Sequence, residues 1–356
     1  MLGRSKEPCR RSDRRLRYTR VQNASGFDDR CLGMILLVCI LVVVPGLLLL
    51  VLLQADRSLQ IQASASSAHS AHSAHSAHSA HSAHSAPHRG PPARLRLLQQ
   101  NCWTPLFGSS GDKTGRMKAL VEAAAAYDVL ILQEVFGSWL GWRRVLGYAP
   151  TLVHDLESRG FTHFLTPRPS FLQFQDNGLM IASKFPLEGA FEVVFGDWTS
   201  QEVWTAKGAL GVRVAGSNLT IINTHLNAWE GSAERDVRHA QLVQLTRELP
   251  HATDVVLSGD LNVDLLAHNC SNPEFTSMMD ILGPLAPPSP PLRDVCSYAP
   301  TWPSDRPTRR YNYILHQRPK EWKLGTLSRV TIGNMTGRGF RGVSDHLGIV
   351  SELVKL

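Results

Sequence analysis

The stretch that decides the fold of this chain is VVLSGDLN, at Val255–Asn262, an apolar run that ends in two polar side chains. Short apolar runs of this kind are typical of buried β-strands, and polar residues at a strand end project from a rigid scaffold. Polar residues recur in the same way along the chain, so several strand ends are expected to meet in one cleft. These residues are Asn101 after LLQQ, Glu134 after VLILQ, His225 in IINTHL, Asp260 and Asn262 in VVLSGDLN, and Asp345 and His346 in SDHLG.

Apolar runs elsewhere in the second part of the chain predict seven strands and two helices. The predicted strands are Leu95–Gln100, Val129–Gln133, Gly178–Ser183, Gly208–Val214, Leu219–Asn223, Val255–Ser258 and Tyr311–His316, and the predicted helices are Lys113–Ala126 and Glu234–Leu249. Strands often follow one another directly, which disfavours a wholly parallel βαβ array. The pattern favours a mixed α+β sandwich, with two sheets inside and helices outside.

The first part of the chain has a different character. Residues 34–53 form a run of twenty residues without a charge, which matches a bilayer core of roughly 30 Å at a rise of about 1.5 Å per residue. Six Ala-His-Ser triplets then run from Ala68 to Ser85, a composition that cannot bury an apolar face. We therefore predict a basic cytosolic tail (1–33), a transmembrane helix (34–53), a low-complexity linker (54–92) and a globular domain (93–356).

The charge distribution predicts the orientation of this segment. Nine basic and four acidic residues lie in residues 1–30, whereas residues 93–356 hold 26 basic and 25 acidic residues. The positive-inside rule then predicts a single-pass type II protein of the endoplasmic reticulum, Golgi or cell surface, with a lumenal or extracellular domain. Three glycosylation sequons in the globular region, at Asn218, Asn269 and Asn334, agree with this orientation. Pro45-Gly46 leaves open a re-entrant hairpin, which would return the domain to the cytosol.

The ordered set N…QE…TH…GDLN…SDH resembles the endonuclease/exonuclease/phosphatase superfamily. Within it, five further segments resemble the neutral, magnesium-dependent sphingomyelinases. They are LQEVF (Leu132–Phe136), NGLMIASKFPL (Asn177–Leu187), AKGAL (Ala206–Leu210), THLNA (Thr224–Ala228) and RRYNYILH (Arg309–His316). The resemblance runs from about Leu95 to Val354. It implies a four-layer α/β-β/α sandwich like that of DNase I, and a catalytic phosphodiesterase domain at residues 93–356.

The resemblance also implies a hydrolase that converts sphingomyelin to ceramide and phosphocholine by attack of water, with Mg²⁺ or alternatively Mn²⁺ as cofactor. Glu134 is the expected direct metal ligand, with Asn101 beside it to orient a phosphate oxygen or a metal-bound water. His346 is the expected general base. Asp345 is expected to fix the ring of His346 or to help hold a metal.

The remaining site residues are expected to act on the phosphate and the leaving group. Asp260 is expected on the leaving-group side, delivering a proton directly or through water to the departing alkoxide. Asn262 and His225 are expected to donate hydrogen bonds to the nonbridging oxygens. Lys207, in the AKGAL segment, is expected to orient the substrate.

Two departures from the family pattern affect these expectations. Family members usually read Arg-x-Asp-Tyr where this chain has Asn312 between Tyr311 and Tyr313. Asn312 can accept a hydrogen bond from the His346 ring and set its tautomer, but it provides no charge, so the base is weaker or the Asp345 carboxylate compensates.

The second departure follows LQEVF, where the usual Asp is replaced by Gly137-Ser138-Trp139. Trp139 and Trp142 could contact lipid headgroups in its place, which leaves the headgroup specificity open. The Pro-rich segment Gly283–Pro307 is either a lid or a plain surface loop. In a lumenal domain Cys270 and Cys296 could pair, and Cys102 would be a buried thiol.

The expected partner is sphingomyelin or a related sphingolipid in a membrane, with anionic lipids as further partners. No nucleic acid is expected, because duplex binding normally needs a basic stripe and the domain is near neutral. The alternatives are another phosphodiesterase of the superfamily (an inositol-phosphosphingolipid or lysophospholipid phospholipase C, or a nuclease) and an inactive lipid-binding relative.

Overall fold

The computed structural model describes residues 93–106, 112–140, 143–168, 175–249, 254–267, 271–283, 309–333 and 343–356. The predicted tail (1–33), transmembrane segment (34–53) and linker (54–92) lie outside these residues. Within the described residues, no helix combines the length and the apolar character that crossing a bilayer requires.

The described residues form four α-helices and fourteen strands. The helices are α1 (Lys113–Ala124), α2 (Ala149–Glu157), α3 (Ser232–Glu248) and α4 (Pro273–Leu282). The strands are β1 (Arg94–Asn101), β2 (Val129–Gln133), β3 (Gly137–Leu140), β4 (Arg143–Gly147), β5 (His163–Leu165), β6 (Met180–Ser183), β7 (Leu187–Val194), β8 (Gly208–Val214), β9 (Thr220–His225), β10 (Val255–Asp260), β11 (Asn312–Gln317), β12 (Trp322–Leu324), β13 (Ser328–Val330) and β14 (Gly348–Lys355). A short 3₁₀ helix covers Ser200–Glu202.

The larger sheet has seven strands. Six follow the order β12-β14-β1-β2-β6-β5, and β13 pairs with β14 beside that path. All pairs are antiparallel except β1 and β2, which run parallel and are joined through α1, as a parallel pair requires a crossover. The register places Asn101 opposite Gln133 at the ends of that pair. Asn101 and Glu134 therefore emerge from neighbouring strand ends.

The smaller sheet has five strands in the order β11-β10-β9-β8-β7. Its parallel pair is β9 and β10, joined through α3, and its other pairs are antiparallel. The register places Asp260 between His225 on β9 and Asn312 on β11. Gly259 (φ 152°) permits this close pairing, because a Cβ at that position would overlap the carbonyl oxygen of Thr224.

Three hydrophobic cores separate four layers. Along β2, Val129 and Ile131 belong to the core between the two sheets, whereas Leu130 and Leu132 pack beneath α1 and α2. This alternation follows from the two-residue period of a strand. A third core lies between the outer face of the smaller sheet and α3 and α4. Each fully buried Val, Leu or Ile side chain stabilises the fold by roughly 1.5–3 kcal/mol. The layers are helix, sheet, sheet and helix, which confirms the predicted α+β sandwich.

The predicted elements correspond closely to described ones. All seven predicted strands and both predicted helices are present, with ends that differ by at most two residues. Helix α1 begins where Asp112 caps it, since the Asp112 carboxylate accepts a hydrogen bond from the Gly115 N–H at 2.9 Å. The helices α2 and α4 were not predicted. Neither were the hairpin β3–β4 or the strands β5, β7, β12, β13 and β14.

Candidate active site

Asn101 links two carboxylates that come from different sheets. Its Nδ2 donates to Glu134 Oε1 at 2.8 Å and to Asp260 Oδ2 at 3.0 Å. Its Oδ1 accepts from the Trp103 backbone N–H at 3.0 Å. With its amide nitrogen shared between two carboxylates, the fully buried Asn101 fixes their spacing. Its predicted part in orienting metal or phosphate stays a prediction.

Glu134 follows β2 in a left-handed backbone conformation, with φ 56°. Its carbonyl oxygen accepts from the Thr104 backbone N–H at 3.0 Å and from Thr104 Oγ1 at 2.6 Å, which holds this uncommon conformation in place. The pKa of the Glu134 carboxyl is raised to about 7. Burial is the largest cause and the nearby charge of Asp345 the second, while the hydrogen bond from Asn101 opposes them. The site therefore holds a carboxylate that lacks enough positive charge around it.

This electrostatic deficit fits a hard divalent cation. Carboxylate oxygens are the ligands such ions prefer, and a positive charge at Glu134 would offset both burial and the repulsion from Asp345. Among the described residues, no group of three or more His, Cys, Asp and Glu side chains is arranged to hold a metal ion. A cation held by Glu134 would complete its coordination with water and substrate oxygens, as Mg²⁺ commonly does.

Asp260 is the buried carboxylate beside the imidazole of His346. Asp260 Oδ2 lies 3.5 Å from His346 Nδ1, and Asp260 Oδ1 accepts from the Asn262 backbone N–H at 3.0 Å. Burial alone would raise the pKa of Asp260. The charge of His346, with the hydrogen bonds from Asn101 and Asn262, opposes burial, and the pKa of Asp260 lies below its ordinary value. Asp260 is therefore ionised at neutral pH.

His346 is held from several directions. Its Nδ1 lies 2.8 Å from Asn312 Nδ2, its backbone N–H donates to Ser344 Oγ at 3.1 Å, and its carbonyl accepts from Gln100 Nε2 at 3.0 Å. Asp345 Oδ1 accepts from Ser344 Oγ at 3.0 Å. Asn312 and Asp260 thus lie beside the ring, and the charges of Asp345 and His346 both act on Glu134.

A buried group of three charged or polar side chains forms the opposite wall. Lys207 Nζ lies 3.0 Å from Glu202 Oε2 and 3.2 Å from His225 Nε2. Burial lowers the pKa of His225 to about 3, and the charge of Lys207 adds to this effect, so the ring is neutral. Because Lys207 donates to Nε2, the proton of His225 sits on Nδ1. That atom is buried and has no hydrogen-bond partner among the described residues.

Asn262 has a left-handed backbone, with φ 52°. Its Nδ2 donates to the Leu226 carbonyl oxygen at 3.0 Å, which leaves the second hydrogen of that amide for a ligand. Among the described residues, the predicted donors therefore differ: His225 Nδ1 has no partner, and Asn262 Nδ2 has one.

The predicted site residues converge on a cavity of about 570 Å³. The predicted residues that line it are Glu134, Lys207, His225, Asp260, Asn262, Asp345 and His346. Asn101 and Asn312 lie behind this surface and are fully buried. Sequence reasoning missed other residues of the wall. Among them are Glu202, Arg309, Tyr311, Trp103 and Trp229.

Some predictions fall outside the described residues. These are the Trp139 side chain, Trp142, the Cys270–Cys296 pair and the Pro-rich segment after Gly283. Cys102 is a buried free thiol, as expected, and burial raises its pKa above the ordinary value.

Comparison with known proteins identifies the class. Residues 98–346 match the endonuclease/exonuclease/phosphatase family, so the chain belongs to that family. Comparison with curated proteins gives no match.

Solved structures of several proteins share the fold. Sphingomyelinase C from Streptomyces griseocarneus is 21% identical with a TM-score of 0.51, over 73% of this chain and 99% of its own. A beta toxin mutant from Staphylococcus aureus with bound magnesium ions is 18% identical with a TM-score of 0.55, over 72% of this chain and 98% of its own. A humanized D. rerio TDP2 is 16% identical with a TM-score of 0.52, over 74% of this chain and 99% of its own. At these identities the likeness defines the fold and leaves the substrate open.

Proposed function

We propose that this protein is a membrane-tethered phosphodiesterase that hydrolyses sphingomyelin to ceramide and phosphocholine, with Mg²⁺, or Mn²⁺ in its place. The observation that carries the proposal is the hydrogen bonding of Asn101 to both Glu134 and Asp260, which joins the cation side of the cavity to the His346 side. A sphingomyelinase and a magnesium-bound toxin among the proteins of the same fold support it.

Glu134 would hold the cation, with Asn101 fixing the direction of its carboxylate. When bound, the cation supplies positive charge to the phosphate oxygens and so favours attack by water. His225 Nδ1 and the Asn262 amide would donate hydrogen bonds to nonbridging oxygens, where charge develops. Lys207 would act through His225, by keeping the proton of that ring on Nδ1.

His346 and Asp260 would handle the protons. In the proposed reaction His346 takes a proton from the attacking water. Asp260 is ionised, so it would orient a water that protonates the leaving oxygen of ceramide, and the proton taken up by His346 would restore that water. The short distance between Asp260 Oδ2 and His346 Nδ1, 3.5 Å, couples the two groups. An imidazolium formed at His346 would therefore be stabilised by Asp260, which offsets the missing carboxylate at Asn312.

Exposed tryptophans near the cavity support a lipid substrate. Trp229 lines the cavity and is 61% exposed, and Trp204, which is 72% exposed, lies between the cavity-lining Glu202 and Thr205. Tryptophan is enriched where proteins meet the interfacial region of a bilayer. A nuclease would need a basic surface, whereas residues 93–356 carry a near-neutral balance of charge.

We further propose a type II arrangement, with the segment 34–53 in the membrane and the domain in the lumen or outside the cell. The basic residues before that segment motivate the proposal. In the described part of the chain, the sequon residue Asn218 is exposed in the turn between β8 and β9, where a glycan would not meet the cavity.

The test is to incubate the full-length protein with sphingomyelin, lysophospholipid, inositol-phosphoceramide and plasmid DNA, each with Mg²⁺, Mn²⁺ or EDTA. Release of phosphocholine from sphingomyelin in Mg²⁺, lost in EDTA, is the expected result. Cleavage of another substrate with no turnover of sphingomyelin would contradict the proposed headgroup.

A second candidate is a catalytically silent lipid-binding protein. Asn312 favours it, because an amide nitrogen faces His346 Nδ1 where the family usually has a carboxylate. This candidate predicts binding to sphingomyelin vesicles with no turnover of any substrate in the panel above.

A further inference from the structure

A row of buried amide side chains from both sheets leads to the ring of His346. Its members are Asn223 on β9, Gln133 on β2, Gln99 on β1 and Asn312 on β11, and all four are fully buried. We call this row the amide relay. Each amide has a donating nitrogen and an accepting oxygen, so the relay can transmit a direction of hydrogen bonding over its length.

One end of the relay has a direction that cannot be reversed. Asn223 Nδ2 donates to the main-chain carbonyls of Leu132 at 2.7 Å and Met180 at 3.0 Å. Because a carbonyl oxygen only accepts, Asn223 must present its nitrogen to them and its Oδ1 to Gln133. Gln133 Nε2 donates to that oxygen at 2.7 Å, and also to the Ile131 carbonyl at 3.2 Å.

In the middle of the relay, the orientation of Gln133 fixes that of Gln99, and Gln99 fixes that of Asn312. Gln133 Oε1 accepts from Gln99 Nε2 at 2.5 Å, and Gln99 Nε2 also donates to Asn312 Oδ1 at 3.2 Å. Turning over any one amide would place two oxygens or two NH₂ groups opposite each other. Turning all four would move that conflict to the carbonyls of Leu132 and Met180, which have no alternative orientation. Only one direction therefore avoids such a conflict, and in it Gln99 Oε1 is buried without a hydrogen-bond partner among the described residues.

The other end of the relay is His346. Since Asn312 Oδ1 accepts from Gln99, its Nδ2 is the atom that faces His346 Nδ1, at 2.8 Å. A donating N–H needs an acceptor, and a ring nitrogen accepts only when it carries no proton. We propose that the amide relay holds the neutral ring of His346 in the tautomer that is protonated at Nε2, which makes Gln99 and Asn312 positioning residues.

The consequence for catalysis, unlike the tautomer itself, rests on the proposed function. A ring with its proton on Nε2 donates from that nitrogen and does not accept there from water. To serve as the base at Nε2, it must carry its proton on Nδ1 instead, against the Asn312 amide. Asp260 Oδ2, 3.5 Å from Nδ1, is the carboxylate placed to favour that second form. The relay and Asp260 thus favour opposite tautomers of one catalytic ring.

The test is nitrogen NMR of the full-length protein labelled with ¹⁵N-histidine, without substrate, at a pH where the ring is neutral. Signals are assigned to His346 by their absence in His346→Gln. The wild-type ring is expected as the Nε2–H tautomer. Asn312→Asp should convert it to Nδ1–H, because a carboxylate only accepts. Gln99→Met should give a mixture, whereas Gln244→Met, which alters an amide outside the relay, should change nothing.

A wild-type ring protonated on Nδ1 would overturn the proposal. So would a folded Gln99→Met protein whose ring keeps the pure wild-type tautomer. If Gln99→Met does not fold, the wild-type and Asn312→Asp spectra still decide. The measurement uses no substrate, so the absence of sphingomyelin hydrolysis would refute the proposed function and leave the tautomer assignment intact.

Discussion

Asp260 Oδ2 lies 3.5 Å from His346 Nδ1, so the carboxylate beside the imidazole comes from β10, from the GDLN stretch. The sequence suggested that Asp345 would compensate for the missing carboxylate at Asn312. In the structure Asp345 accepts from Ser344 and its charge raises the pKa of Glu134 instead. The pairing of β10 with β11 explains the difference, since it sets Asp260 directly opposite Asn312.

Glu134→Gln is expected to abolish turnover while the protein still folds. The change is nearly isosteric, but it removes the negative charge that would hold the cation. Activity is measured against Mg²⁺ concentration. Glu192→Gln is the matched control, because Glu192 is also a carboxyl whose pKa burial raises, and it does not line this cavity. Activity equal to wild type at subsaturating Mg²⁺ would exclude Glu134 as a ligand.

His346→Ala is expected to lower kcat by roughly 10²–10⁴-fold, the usual contribution of a positioned acid or base. Metal affinity should change less than turnover, because the ring lies beside Asn312 and Asp260 and acts on Glu134 through its charge. Steady-state kinetics at several Mg²⁺ concentrations would separate the two effects. An altered Mg²⁺ dependence with unchanged turnover would make His346 a ligand or a structural residue.

The raised pKa of Glu134 predicts how the stability of the cation-free protein depends on pH. Its folded pKa, about 7, lies above the ordinary value of 4.5, so between these values the folded state binds more protons than the unfolded state. The free energy of unfolding therefore falls as pH rises from 4.5 to 7. In EDTA, the wild-type melting temperature should drop over this range relative to that of Glu134→Gln. Parallel curves for the two proteins would contradict the assignment.

The strand ends of the site could be predicted from sequence, because short apolar runs with a terminal polar residue mark them directly. The amide relay could not be predicted in this way. Gln99 and Gln133 belong to strands of one sheet, while Asn223 and Asn312 belong to the other, so only the packing of the sheets brings them together. The neutral state of His225 depends likewise on burial and on Lys207.

The two unpredicted helices differ in their sequence signals. Helix α2 spans nine residues, and its N-cap Tyr148 makes no side-chain capping bond, so neither a long apolar period nor a capping residue marks it. Helix α4 does carry such a signal, in Asn272 and Pro273, with Asn272 accepting from the Glu274 N–H. The helix that follows this signal is only ten residues long, which leaves little room for a repeating apolar pattern.

Removing the exposed tryptophans is expected to weaken binding to sphingomyelin vesicles. A Trp side chain presents roughly 200 Å², so burying half of one at about 25 cal/mol/Å² stabilises the bound state by about 2.5 kcal/mol, or roughly 60-fold. Vesicle sedimentation of Trp229→Ala and Trp204→Ala measures the loss. Leu356→Ala, which alters an exposed apolar residue at the chain end, is the control. Undiminished vesicle binding by both Trp variants would rule out these side chains as the lipid contact.

The proposed topology predicts that Asn218 carries a glycan. Its side chain is exposed and donates to Glu321 Oε1 at 2.5 Å, a surface contact that a glycan attached before folding would replace. In microsomes, glycosidase should increase the gel mobility of the wild-type protein, and Asn218→Gln should remove one step of that shift. Asn272→Gln, which alters an Asn outside any sequon, should leave the shift unchanged.

Protease treatment of sealed vesicles provides the independent half of this test. A lumenal domain is protected until detergent is added, whereas a hairpin at Pro45-Gly46 would leave the domain on the cytosolic side and open to digestion. The two topologies also differ in substrate access. A lumenal domain faces the lumenal leaflet, whereas a domain behind a hairpin faces the cytosolic leaflet. Unshifted mobility together with digestion in sealed vesicles would therefore reverse the orientation and leave the chemistry of the cavity unchanged.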